Sequence, residues 1–544
     1  MERADLTTGK LRLYDTTLRD GAQGEDVTFS VEDKLRIAAR LDAMGFDYIE
    51  GGWPGSNPRD VEFFRRAADI DFRHARLAAF GSTRRAKSDV REDQNIRALL
   101  DAGTPVVTIF GKTSMMHVRS ALQTTPDENL AMIADSVRFL VESGREVVYD
   151  AEHFFDGAAE DERYALKTLE AAAAAGASTL VLCDTNGGTM TEEIVRLVRI
   201  VRAAFSAPVG IHTHNDCELA VANALAAIRA GASHVQGTIN GYGERCGNAN
   251  LCSIIPNLQL KLGIPCLPDD RLPLLTDLSR MVSELSNQAP RKYLAYVGES
   301  AFAHKGGVHV NAVMKLPSTY EHIQPEQVGN RRRVLVSDLS GRSNVMYKAR
   351  ELGIAMNGQG EDLREILDIV KAREHRGYSY ENADGSLELL IREQIGEWTE
   401  FFRLEGLKLI ILKESPEGEP TSEALIKVRV GNLVEHTAAE GNGPVNALDN
   451  ALRKALDRFY PQLRETYLSD YKVRVLEGSD GTAANVRVMI TTRHGQESWN
   501  TVGVSTNIIE ASWKALVDGV YYHLNRTVTT GKEGEPHGIE RSVV

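Results

Sequence analysis

Between Leu11 and Leu262 the sequence repeats one pattern eight times: a short apolar run of strand character, then a longer amphipathic or alanine-rich run of helical character. The strand runs are Leu11–Asp15, Phe46–Glu50, Ala75–Phe80, Val106–Phe110, Glu146–Asp150, Thr179–Asp184, Val209–Thr213 and Ser233–Gly237. Helical runs such as Val31–Met44, Glu128–Glu142, Asp161–Ala175 and Glu218–Ala230 separate them. Alternation of this kind implies parallel pairing through crossovers. Eight units in succession match a closed (β/α)8 TIM barrel, an α/β fold, better than an open doubly wound sheet. Gly45, Gly103, Gly144, Gly176 and Gly231 each precede a strand run, where a left-handed residue ends a helix.

The barrel is expected over residues 1–267. The full chain has 544 residues, beyond the roughly 250–300 at which one core stops growing, so further domains follow. Residues 268–400 read as helical linker subdomains with a His/Gly segment, Phe302–Asn311. Residues 401–544 read as an α+β module with an internal repeat. In that module, Leu425–Val430 leads through Gly441–Pro444 to the helix Val445–Phe459. Val473–Leu476 and Val486–Thr491 lead through Thr501–Val504 to the helix Ile508–Leu524. Glu414–Glu423 reads as a surface loop and Gly531–Val544 as a loose tail.

The net charge is −13, which argues against general binding to nucleic acid or anionic membranes. No apolar run approaches the roughly 18–20 residues that span a bilayer. Met1–Lys10 lacks a signal-peptide core. The five cysteines lack CxxC spacing, as expected of free thiols in a reducing cytoplasm. No P-loop, GxSxG elbow or GxGxxG after a first strand is present.

In such barrels the chemistry sits at the C-terminal strand ends, and the polar residues gather there. Strand one runs into Arg19, Asp20 and Gln23; strand two ends in Glu50. Strand five ends in Asp150, Glu152 and His153, and strand six in Asp184 and Thr185. Strand seven ends in His212, His214 and Asp216, and Glu244, Arg245 and Asn248 follow strand eight. His212 and His214, two apart on a strand, point to the same face and can share one ion. With Asp20 and Asn248 they make an open, catalytic type of divalent-metal site; alone they are two ordinary strand-end histidines. Arg19 either polarises a substrate carbonyl or pairs with Asp184 or Glu152. Glu152 is either a base or the ion partner of Arg19. Thr185 either binds a substrate carboxylate or shapes a turn. Glu244 and Arg245 brace their loop. Phe80 and Phe110 narrow a substrate pocket or fill the barrel core.

Four stretches taken together resemble one family: Asp15-Thr-Thr-Leu-Arg-Asp-Gly-Ala-Gln23, His212-Thr-His-Asn-Asp216, Gly243-Glu-Arg-Cys-Gly-Asn248 and Gly307-Val-His-Val310. They are similar to the metal-dependent acyl-CoA condensing enzymes, the 2-isopropylmalate, citramalate and homocitrate synthases. Glu50-Gly-Gly-Trp-Pro-Gly-Ser-Asn57 and Phe302–His309 look most like the citramalate synthase branch, as does Ala151–Asp156. Gly441–Asn446 and Gly503–Ser512 resemble the family's amino-acid-binding regulatory domain.

The resemblance implies metal ligands at Asp20, His212, His214 and Asn248, holding Zn, Mn or Mg. It implies keto-acid contacts at Arg19 and Thr185, and catalytic roles for Arg19, Glu152, His309 and Tyr320. The implied reaction condenses acetyl-CoA, the co-substrate, with pyruvate to give citramalate and CoA on the isoleucine biosynthetic route. The alternative is 2-isopropylmalate synthesis from 2-oxoisovalerate. A base, His309 oriented by a carboxylate such as Glu152, removes a methyl proton of acetyl-CoA. In the family the segment carrying the histidine covers the barrel of the other subunit, which implies a homodimer. The effector implied is a branched-chain amino acid, isoleucine first, approached by the glycine turns Gly441–Gly443 and Gly503. Two departures stand out: Ala22 where a Glu is common, and Asp150-Ala151 where some citramalate synthases carry a bulky pair.

Overall fold

The computed structural model describes residues 10–356, 360–476 and 484–529. The polar start before Lys10 and the tail Gly531–Val544 lie outside the described residues. Eight parallel strands close into a barrel in sequence order: β1 (Arg12–Asp15), β2 (Tyr48–Gly52), β3 (Arg76–Ser82), β4 (Val106–Lys112), β5 (Glu146–Glu152), β6 (Thr179–Asp184), β7 (Val209–Thr213) and β8 (His234–Gly237). Closure is direct, with Leu13 of β1 in register with Val235 of β8. Inside, Tyr14, Tyr48, Val106, Val148 and Val181 fill the barrel. Outside, Leu13, Ile49, Val107, Val147, Leu180 and Ile211 pack beneath the helices. Gly45 and Gly231 end their helices at φ 92° and 113°, conformations that cost glycine little.

Four strands run past the expected ends. β2 reaches Gly52, β3 Ser82, β4 Lys112 and β5 Glu152. The apolar run stops earlier in sequence, but the ladder continues, with Lys112 opposite Glu152. Glu152 is thereby a strand residue rather than a loop residue. A short helix, Met115–Ser120, follows β4 and was not expected from the sequence. The run around 250–262 is an α-helix, Leu251–Pro256, that widens into a π-helix, Asn257–Leu262. Pro256 has no N–H to donate within that helix.

The chain divides into two compact units, Met1–Phe302 with Ile323–Arg332, and Ala303–His322 with Arg333–Val544. The second unit holds a two-stranded ribbon, β9 (Ala303–His304) beside β10 (Arg333–Val334), and helices Gly307–Lys315, Arg342–Glu351, Gly360–His375 and Asp384–Gln394. Val336, Val345, Ile366, Val370 and Ile391 form its small core.

The expected repeat is a β-β-β-α unit occurring twice. The first is β11 (Arg403–Leu412), β12 (Thr421–Val430), β13 (Leu433–Gly441) and helix Pro444–Leu456. The second is β14 (Thr466–Val475), β15 (Val486–His494), β16 (Glu497–Ser505) and helix Ile508–Thr529. Each sheet is an antiparallel meander, and each first strand carries a register shift near its start, at Leu404/Gly406 and at Leu468/Asp470. The sequence did not reveal β13, because both faces of Leu433–Gly441 are partly exposed and its pattern is not apolar. The expected turn at Gly503 lies within β16, opposite Val488. A Cβ there would lie 2.0 Å from the Ala511 carbonyl oxygen, so this glycine lets the helix lie on the sheet. Gly441 does the same against the Ala447 nitrogen, at 2.3 Å.

Candidate active site and metal centre

The metal-ligand candidates converge from three strand ends. Asp20 follows β1 at the start of the 3-10 turn Gly21–Gln23, where its N–H donates to Thr16 Oγ1 at 3.3 Å. His212 lies in β7, and His214 just beyond it forms a bridge with Asn248 after β8. The two Nε2 atoms are 3.3 Å apart. Asp20 Oδ2 lies 3.3 Å from one and 3.7 Å from the other. All three residues are buried. Among the described residues they form a cluster whose ligand atoms lie within 4.8 Å of one another.

The electrostatics suit an ion. Burial alone would raise the Asp20 carboxyl, but Arg19 and the hydrogen bond to His212 outweigh it and hold it far below the usual carboxylate range. Burial disfavours charge on His212 as well, yet Asp20 raises its pKa. Burial brings His214 down to about 4, so this ring is neutral near pH 7 and presents a lone pair. Asn248 donates to the Tyr242 carbonyl at 3.3 Å, while its own Oδ1 is buried without a hydrogen-bond partner. An anionic oxygen, two imidazole nitrogens and a spare amide oxygen fit a divalent cation.

Arg19 does not pair with Asp184 or Glu152. Its Nε donates to Glu50 at 2.6 Å, its Nη1 sits 3.4 Å from Asp20, and its guanidinium lies 3.6 Å over the Phe80 ring. Glu50 is fully buried and also accepts from the hydroxyls of Tyr14 and Thr16. Glu50 thus holds Arg19 still. Asp184 accepts from Thr189 instead, at 2.7 Å. Glu152 pairs with Lys112 across the β4–β5 ladder, not with Arg19.

Thr185 Oγ1 accepts the His153 N–H at 2.8 Å. His153 makes that bond from a left-handed conformation, φ 58°. Arg245 clasps Asp216 with two bonds, 2.7 and 3.0 Å, and reaches the Thr185 carbonyl, so it braces the loop as expected.

These residues line one cavity of about 280 Å³, shared by Arg19, Asp20, Glu152, Thr185, His212 and His214. Trp53, Phe80 and Phe110 form an aromatic wall to it. The Phe rings stack at 5.4 Å, and Trp53 meets both edge-on at 5.7 and 5.6 Å. The two phenylalanines therefore belong to the pocket rather than the barrel core. His309 and Tyr320 lie in the second unit, where their rings stack at 4.3 Å.

Sequence reasoning assigned no role to Glu50, Lys112, Trp53 or Gln236. Glu50 had a signal, a carboxylate ending a strand run. Gln236 had only its inward position two residues after His234.

Residues 10–282 match the HMGL-like family, residues 296–377 the homocitrate synthase post-HMGL domain-like family, and residues 381–524 the LeuA allosteric (dimerisation) domain. The chain is 56% identical to an (R)-citramalate synthase of Geobacter sulfurreducens, over 95% of this chain and 98% of that one. It is 53% identical to an (R)-citramalate synthase of Aquifex aeolicus, over 96% and 99%. A 2-isopropylmalate synthase of Methanocaldococcus jannaschii is 30% identical over 94% of both chains. The chain belongs to the (R)-citramalate synthase family. It is an enzyme of that family, with an HMGL-like barrel and a LeuA allosteric domain. The buried Asp20–His212–His214 group is consistent with a divalent metal site in this citramalate synthase barrel. Among the described residues no helix is long and apolar enough to cross a membrane.

Proposed function

We propose that the chain condenses acetyl-CoA with pyruvate and water to give citramalate and CoA. The observation that carries this reading is the convergence of Asp20, His212 and His214 with Arg19 on one small cavity. Asp20, His212, His214 and Asn248 would hold Zn, Mn or Mg, which when bound supplies a Lewis acid for the keto oxygen of pyruvate.

The protein's own groups do the rest. Thr185 Oγ1 already accepts from His153, so its single proton is free to donate to the substrate carboxylate. Arg19, immobilised by Glu50 and Phe80, raises the electrophilicity of C2 and stabilises the oxygen charge that develops there. His309 takes a methyl proton from acetyl-CoA, with Tyr320 stacked against it. Glu152, held by Lys112, is one of the cavity's carboxylates and the one that assists proton transfer. The enolate attacks C2, and hydrolysis of the thioester releases CoA.

The aromatic wall of Trp53, Phe80 and Phe110 limits the keto-acid side chain to a methyl. Such a wall discriminates by about 1–3 kcal/mol per methylene-sized change. We further assign the LeuA domain an inhibitory branched-chain effector, isoleucine first, and take the working form to be a homodimer in the cytoplasm. The five cysteines are unpaired, as that compartment implies.

A thiol-release assay across pyruvate, 2-oxobutyrate, 2-oxoisovalerate and 2-oxoglutarate tests the substrate. The highest kcat/KM is expected for pyruvate; a higher value for 2-oxoisovalerate assigns the chain to isopropylmalate synthesis instead. Isoleucine at millimolar level should lower the initial rate several-fold. An unchanged rate with isoleucine, leucine and valine removes the effector assignment.

A further inference from the structure

Behind His212 runs a buried chain of side chains that the reaction above does not use. His212 Nδ1 lies 2.7 Å from Gln236 Oε1, and Gln236 Nε2 donates to Asp150 Oδ1 at 3.0 Å. Gln236 is 1% exposed and Asp150 3%. We infer that Asp150 and Gln236 are positioning residues that fix the tautomer of His212, leaving Nε2 as the nitrogen that meets the ion.

A carboxylate only accepts, so it selects the amide N–H₂ of Gln236. That choice turns Gln236 Oε1 toward His212, and a carbonyl oxygen only accepts in its turn. His212 Nδ1 must therefore carry a proton. Nε2, the atom facing Asp20 and the His214 ring, is then the nitrogen whose lone pair is available once its own proton leaves. A protonated Asp150 keeps the chain intact, because Oδ1 still accepts when the proton sits on Oδ2. His214 has no such backing: its Nδ1 is buried without a hydrogen-bond partner.

The chain also gives Asp150 a reason to be there. The residue opens the Asp150-Ala151 departure noted in the sequence. It stands on β5, three strands from β8 in barrel order, and reaches Gln236 across the barrel interior.

The inference rests on the metal reading of the site, and the test separates the two. Full-length protein is stripped with a chelator and titrated with Co²⁺ against a chromophoric competitor. Gln236→Met keeps the shape and removes both polar ends, and it should weaken Co²⁺ binding about 10–100-fold. Gln236→Glu keeps an acceptor toward His212 and can share a proton with Asp150, so it should bind within a few-fold of wild type. Asp150→Leu should weaken binding because the amide is freed to turn. The double variant Asp150→Leu/Gln236→Met should lose no more than Gln236→Met alone, because Asp150 acts through Gln236. Folded Gln236→Met that binds Co²⁺ like wild type overturns the inference, and so does an equal loss in Gln236→Glu. Wild-type protein that takes up no Co²⁺ overturns the metal reading and this inference together.

Discussion

The two ends of the barrel use the same residue types for different purposes. At the mouth, His212, His214 and Asp20 face one another, and Asn248 Oδ1 is left without a partner. At the floor, charges satisfy each other: Glu146 pairs with Arg76 and accepts from Tyr48, and Arg12 donates to that same tyrosine. The floor also has its own buried histidine, His234 at the start of β8. Neither of its ring nitrogens has a hydrogen-bond partner. Yet it is enclosed by the rings of Tyr14 and Tyr48, 5.2 and 5.7 Å away, and among the described residues no carboxylate pairs with it. Burial brings it down to about 3, whereas Asp20 raises His212 one strand away. A bare imidazole is therefore a ligand only where a second donor and an anion face it. Richness in charge does not mark the site; unsatisfied donors that converge do.

The largest expected effect falls at the mouth. His212→Ala should lower turnover about 10²–10³-fold or more, because an ion held by few ligands is unsettled by losing one. The melting temperature should stay close to wild type, since the barrel core lies elsewhere. Retained turnover, or a collapse of the fold without loss of metal uptake, breaks the comparison.

Arg19→Ala sharpens it, because this mouth residue also carries structure. Removing it leaves Glu50 buried without its cation, which costs about 3–5 kcal/mol of stability. Turnover should fall as well. Denaturant titration beside kinetics reads both. A large kinetic loss with unchanged stability would show that Glu50 does not depend on Arg19 in the fold.

The smallest effect is expected at the floor. His234 has a folded-state pKa near 3, below the roughly 6.5 of an unfolded histidine. Between those values the unfolded chain binds the proton and the folded chain does not, so stability is full above pH 6.5 and drains as pH falls toward 3. By pH 5 this one group accounts for about 2 kcal/mol of lost stability. His234→Leu should flatten the stability profile over that window and leave kcat near wild type. A profile as steep as that of wild type assigns the acid sensitivity to other groups.

The barrel was legible because a period of strand and helix repeated eight times admits few closures. Asp20, His212 and His214 were legible because they sit at strand ends that only barrel closure brings together. The partner of Arg19 was not: Asp184, Glu152 and Glu50 all lie at or just past the ends of strand runs in the sequence, and only the β1–β2 register selects Glu50. Lys112 was hidden by strand length, since its pairing with Glu152 lies beyond the apolar run. Gln236 carried only its inward position, because its meaning comes from Asp150 on a distant strand. In the C-terminal α+β module the helices and the duplication were readable, but β13 was not, and Gly503 reads as a turn although it lies within β16. Its role depends on Ala511, eight residues later in the following helix, lying against it.

On the proposed function, the mouth of this barrel works through a divalent ion held by Asp20, His212 and His214. The most direct measurement is CoA thiol release from acetyl-CoA and pyruvate by full-length protein, before and after stripping with a chelator, with metal content determined on the same samples. The account predicts that stripped protein is folded and inactive and that Zn, Mn or Mg restores the rate. Full activity in metal-free protein would contradict it.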